Sequence, residues 1–244
     1  MVIGAGSALS AAVASDFVGP IEQAHRAEPW RSKGALETRI EVDFGGRRAL
    51  EGRLVFSSDA ARSILEPTSG ATAVFDGKTA WVSPNAEAFP GARFHLLTWP
   101  YFAAVATKLR DPGTAIEVLG PRQELGRSFD TARLTFAPGT GDAPDDWYVL
   151  YREQGSNRLA AMAYIVTFGT DKAKAEAEPH AIVYEDFVDV DGVPVSTRWQ
   201  FYNWSEQQGI HGDPIGEARL LDPRWVEAPA FVAPAGAVEI GLPN

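Results

Sequence analysis

The sequence predicts a mainly β protein with some helix: a strongly curled antiparallel sheet or open half-barrel of about eleven strands, with an N-terminal helix and a helical lid insertion. Three observations predict it. Segments with apolar residues at every second position recur along the chain, separated by Gly- or Asp-Gly-containing turns. Two of them, in His180–Trp204, read as one long hairpin across Asp191-Gly192, with Ala181, Val183 and Phe187 on one face of the first strand and Val195, Thr197, Trp199 and Phe201 on one face of the second. Between the strands, Phe94–Arg110 switches to helical spacing through Phe94, Leu97, Tyr101, Val105 and Leu109.

Taken in order, residues 1–14 read as the tail of a secretory signal ending in Ala12-Val13-Ala14, or else as a disordered leader. Val2-Ile3-Gly4-Ala5-Gly6 imitates a dinucleotide fingerprint, but Leu9 replaces the third glycine and no βαβ pattern follows. Asp16 caps a helix expected over Phe17–Ser32, which Gly19-Pro20 and Pro29 should break or shorten. Leu36, Thr38, Ile40, Val42 and Phe44 then alternate with Glu37, Arg39, Glu41 and Asp43, and Gly45-Gly46 turns the chain into Leu50–Ser57. Arg62–Pro67 is a third strand, followed by a tight hairpin of Thr72–Phe75 and Thr79–Ser83 around Asp76-Gly77.

After the helical insertion, with Pro100 as a kink or as the start of a second helix, strands resume at Ala115–Leu119, Thr131–Phe136, Trp147–Arg152 and Arg158–Phe168. The closing hairpin and a last strand near Gly216–Leu221 complete a single domain expected over residues 15–227. Residues 228–244 form a Pro/Ala-rich tail, read as extended and poorly packed.

Composition excludes several function classes. A formal charge of −10 with scattered basic residues argues against nucleic acid as a partner. The chain has no cysteine, so disulfides, thiolate metal sites and a cysteine nucleophile are excluded. His25, His95, His180 and His211 show no metal-ligand spacing, and no G-x-S-x-G elbow is present. The acidic clusters Asp142–Asp146 and Glu185–Asp191 lack the ligand set of a calcium loop and read as solvated turns. No catalytic residue, metal ligand or cofactor is assigned.

The initial helix, the strand meander, the VFDGKTAWV hairpin, the insertion with WPYF and the closing YEDFVDVDGVPVSTRW together resemble the lipoprotein-carrier superfamily, which includes the periplasmic carrier and outer-membrane receptor of bacterial lipoprotein sorting. The chain is also similar to an uncharacterised group of exported bacterial proteins through Ala24-His25 and Trp30. The resemblance implies an open barrel closed by helices that binds acyl chains or other apolar ligands without catalysis. It also implies a periplasmic or otherwise exported location and an envelope protein as a second kind of partner. No single Arg corresponds to a carrier's ligand-release residue.

Seven Trp, six Tyr and thirteen Phe give such a sheet an aromatic lining. Alternation and insertion position select Trp81, Phe94, Leu97, Trp99, Tyr101, Phe102, Tyr164, Trp199 and Phe201 as lining or lid for a hydrophobic small molecule or lipid. Two rival readings stay open. One is a hydrolase with His95 or His180 as base and Glu185 or Asp186 nearby; the other is a structural or interaction module with a filled core.

Overall fold

The structure is a computed structural model that describes residues 17–242. The leader 1–14 and the Asp16 cap lie outside the described residues.

The mainly β, antiparallel expectation holds: thirteen strands form one open sheet. Its first half contains β1 (Ala35–Phe44), β2 (Arg47–Ser57), β3 (Ser63–Pro67), β4 (Thr72–Phe75) and β5 (Ala80–Ser83). After the helical insertion come β6 (Thr114–Glu124), β7 (Arg127–Phe136), β8 (Tyr148–Glu153) and β9 (Leu159–Tyr164). The closing strands are β10 (His180–Val190), β11 (Val193–Ser205), β12 (Gly209–Val226) and β13 (Val238–Ile240). The spatial order is β13-β5-β4-β3-β2-β1-β12-β11-β10-β9-β8-β7-β6, a meander in two runs joined where β1 pairs with β12. The helices are α1 (residues 17–24), α2 (Ala27–Arg31), α3 (Ala92–Ala104) and α4 (Lys172–Ala177).

Contacts divide the chain into two compact units where sequence reading expects one domain. Among the described residues, the first holds 17–27, Ala106–Tyr184 and Phe201–Pro214; the second holds Glu28–Val105, Glu185–Gln200 and 215–242.

In the second unit, local sequence and register agree. Asp191 and Gly192 both take positive φ (50° and 81°), the pair of left-handed conformations that a two-residue hairpin needs. Opposite Leu36, Thr38, Ile40 and Val42 on β1 stand Phe56, Leu54, Gly52 and Leu50 on β2, and Leu54 in turn faces Leu65 on β3. This is the apolar face. The other face of the same strands carries Glu37, Arg39, Glu41 and Arg53, tied by ion pairs such as Arg53 with Glu66 at 2.9 Å.

In the first unit, β8 and β9 are buried on both faces. One face gathers Val149, Tyr151, Ala161, Ala163, Ala181 and Val183 with Trp147 and Trp204. On the other, Leu150 faces Met162, which faces Ile182.

Several expectations need correction. β10 is buried on both faces from Ala181 to Tyr184 rather than one-sided, and the left-handed Asp186 (φ 48°) resets its alternation before Phe187. Gly19 and Pro20 do not break α1; the helix ends instead at the left-handed Arg26. The C-terminal tail is mostly exposed, as an extended segment would be, but it is anchored: Phe231 is 6% exposed, and β13 adds to the edge of β5. Pro100 lies inside α3 and does not start a second helix.

Candidate functional site

The insertion folds as α3 and packs on β3, β4 and β5. Two contacts identify the face it covers. The Ser63 hydroxyl donates to the Leu96 carbonyl at 2.7 Å, and the Arg93 guanidinium lies 5.4 Å from the centre of the Phe75 ring. Ser63 and Phe75 are register partners, so α3 sits on the apolar face that also carries Phe56, Leu54 and Leu65.

The first of these contacts explains how a proline is tolerated mid-helix. Pro100 has no N–H to offer the carbonyl four residues earlier, which is that of Leu96. Ser63, itself 1% exposed, supplies the missing donor and joins helix to sheet.

His95 sits in an aromatic sandwich, with Phe89 at 5.4 Å and nearly parallel, Trp99 at 5.9 Å and tilted by 16°, and Phe94 edge-on at 5.5 Å. Its Nδ1 accepts the Trp99 indole N–H at 3.0 Å. Burial pushes its pKa down to about 4, so the ring is neutral at pH 7 and carries its proton on Nε2.

The lining and lid candidates separate by place. Trp99 and Phe102 are buried and meet edge to face at 6.3 Å, while Phe94, Leu97 and Tyr101 are half-buried on the same helix. Trp199 falls on the α3-covered face. Its neighbour Arg198 pairs with Glu217, which is in register with Asp43 on the charged face, so alternation turns Trp199 the other way. Trp81 does not join them: it is in register with Val74, whose face carries Ile64, Val55 and Ala35, opposite to α3. Phe201 and Tyr164 belong to the first unit. Phe201 is 1% exposed, and Tyr164 stands between Tyr148 and His180 in register, its hydroxyl pKa raised by burial.

The histidine–carboxylate reading finds no support in these contacts. Glu185 gives its carboxylate to Arg198 at 3.0 Å, and His95 is engaged by Trp99. Among the described residues no group of three metal-ligating side chains gathers, and no helix is long and apolar enough to cross a membrane.

Sequence reasoning missed Ser63, Phe89 and Phe231. The first two left no periodic signal. Phe231 left a compositional signal instead: it is a lone large aromatic in a stretch of mostly small residues, the pattern of an anchor in a strap.

No protein-family model matches the chain, and no curated protein matches it in sequence. Solved structures do match. A LolA superfamily protein from Nitrosomonas europaea superposes with a TM-score of 0.55 at 12% identity, covering 90% of this chain and 97% of that one. A putative outer membrane lipoprotein-sorting protein domain from Vibrio parahaemolyticus gives 0.53 at 10% identity, covering 87% and 93%. A DUF1329 family protein from Desulfovibrio piger gives 0.51 at 12% identity, covering 84% and 93%. The chain has a LolA-like fold.

Proposed function

We propose, starting from that fold, that the chain is an exported binding or carrier protein that holds a hydrophobic or lipid-like ligand on the α3-covered face of the sheet. The observation that carries the proposal is the helix itself. A thirteen-residue segment leaves Phe94, Leu97 and Tyr101 half-buried over an apolar sheet face. Apolar surface of that kind at the edge of a cover gives an acyl chain somewhere to enter. The fold supports the reading as analogy, because a fold admits many functions and the site has to carry the argument. An envelope protein as donor or acceptor of the ligand, and a periplasmic location, belong to the same proposal.

Titration with a dansyl-labelled undecanoic acid tests it. The parent should bind with saturation, and Phe94→Ala together with Leu97→Ala should weaken binding at unchanged circular dichroism. If the parent shows no saturable binding, and native mass spectrometry of gently purified protein finds no extractable lipid, the filled structural module replaces the carrier.

A further inference from the structure

We infer that the C-terminal segment 227–242 is a latch that holds the α3 lid closed, acting from the opposite face of the sheet through the loop that leads into the helix. The inference rests on the carrier reading for its purpose but not for its geometry.

The segment attaches at two places. Phe231 is buried against Ala35, Val55 and Val74, with the partly buried Ile64 and Val226 around it, and the Arg62 guanidinium lies 5.2 Å from its ring centre. Seven residues later β13 pairs with β5, Val238 opposite Val82, Glu239 opposite Trp81 and Ile240 opposite Ala80. Elsewhere the strap is exposed or only half-buried: Val232 is 64% exposed and Leu242 55%, and Pro229, Pro234, Ala237 and Ile240 are half-buried. A three-residue edge strand and a single aromatic anchor form the kind of attachment that opens well before the rest of a fold does.

β13 also packs on the short 3-10 turn Ala86–Ala88. That turn is tied directly to the lid. The Phe89 carbonyl accepts the Ala92 N–H of the first turn of α3 at 3.2 Å, and the Phe89 ring stacks on His95, which in turn accepts from Trp99. A continuous set of contacts therefore runs from the strap through Ala86–Phe89 to His95 and Trp99. Releasing β13 removes the outer support of the turn that positions Phe89. The lid then loses one wall of its aromatic sandwich while Ser63 still holds its middle.

Hydrogen–deuterium exchange on the full chain tests this, comparing the parent with Phe231→Ala, with Val238→Pro, which removes a backbone donor from β13, and with Val232→Ala as an exposed control. The expected result is exchange at least fivefold faster across residues 86–104 in the first two variants, with β1 and β2 as protected as in the parent and the control unchanged. Unchanged exchange across 86–104 overturns the latch. So does acceleration spread equally over β1, β2 and α3, which would make the strap ordinary core. Uptake of dansyl-undecanoic acid is measured in parallel: a parent that binds none sinks the carrier reading, while the exchange data alone still judge the latch.

Discussion

β9 in one compact unit and β1 in the other are both central strands, yet they solve different packing problems. β1 is buried on its Leu36–Ile40–Val42 face and carries Glu37, Arg39 and Glu41 on the other. β9, Leu159–Tyr164, has every residue buried. The first unit must therefore fill two faces at once, and it does so by setting small residues against large ones: Ala161 and Ala163 lie in a cluster with Trp147, Tyr151 and Trp204. Large rings bring polar atoms inside, and those need partners. The Trp204 indole N–H donates to the Tyr151 hydroxyl at 2.7 Å, and that hydroxyl donates to Glu124 at 3.2 Å, whose other oxygen accepts the Ile210 N–H at 2.8 Å. A strand with one wet face leaves its charges in water and asks for no such network.

The largest test of this contrast is Trp204→Ala. It opens a cavity beside Trp147 and strips a donor from Tyr151, and full truncation of a buried Trp costs about 3–5 kcal/mol. Urea denaturation should show that loss. A variant less than 1 kcal/mol below the parent would mean that the cluster is loosely filled and that the two faces of β9 are not equally demanding.

Acid acts on both units, because each contains a histidine held neutral. His25 accepts the Leu159 N–H at 2.9 Å on Nε2, and burial, assisted by Arg158, lowers its pKa to about 4; His95 is lowered to about 4 by burial alone. An unfolded histidine titrates near 6.5. Between about 6.5 and 4 the unfolded chain binds protons that the folded chain refuses, so stability is fully present above that window and falls as pH drops through it. Asp146 runs the other way. Burial raises its pKa to about 6 against the lowering hydrogen bonds from Thr167, so its folded form favours the proton and loses stability as pH rises through 6. Two histidines outweigh one aspartate, and at ~1.4 kcal/mol per pKa unit the net loss by pH 4.5 is on the order of 2–3 kcal/mol. His25→Asn should flatten the pH dependence measured by urea midpoints. If the midpoint rises between pH 7 and 5, Asp146 dominates and the neutral-histidine assignment fails.

The same contrast decides how much was legible in the sequence. Where one face is wet, the period of two is written in the residues, and β1, β2, the Asp76-Gly77 hairpin and the Asp191-Gly192 turn fall where the pattern places them. Where both faces are buried the alternation vanishes, which is why β10 was expected to be one-sided and is not. β13 was invisible because three residues, Val238–Ile240, carry no period at all. The candidate site divides in the same way. Helical spacing places Phe94, Leu97 and Tyr101 on one helix, α3, though its continuation to Leu109 runs past the helix end at Ala104; Trp81 sits on a strand only four residues long, where a shift of one position exchanges the faces.

A smaller effect sharpens the account of α3. Ser63→Ala should cost about 1–2 kcal/mol, because the Leu96 carbonyl then has no donor from either Ser63 or residue 100. Pro100→Ala supplies an N–H to that carbonyl. In the double variant the cost of losing Ser63 should therefore shrink, with a coupling of about 1 kcal/mol in a double-mutant cycle. Strict additivity would show that Ser63 stabilises by packing alone and that the helix does not need its help at Pro100.

The smallest expected effect lies on the wet face of the second unit. Arg53 bridges Glu37 and Glu66, and Arg224 reaches Glu37 from β12, so the group looks like a network that ties four neighbouring strands together. Yet the arginines are exposed, Arg53 at 47% and Arg224 at 67%, as is Glu66 at 40%, and only the Glu37 carboxyl that joins them is largely covered, at 12%. Ion pairs at that exposure gain little beyond what water already gives, typically about 0.2–1 kcal/mol, and salt screens them. The hydrogen bonds from Arg53 hold the Glu37 carboxyl below its ordinary range, so what stabilisation exists is present at neutral pH and fades as pH falls through the carboxylate range. Arg53→Met keeps the aliphatic stem on the strand and removes the charge. It should lower stability by about 0.5 kcal/mol at low ionic strength and by less in 0.5 M salt. A loss several times larger and insensitive to salt would mean that this face relies on its charges for register as much as the buried face relies on Leu54 and Leu65.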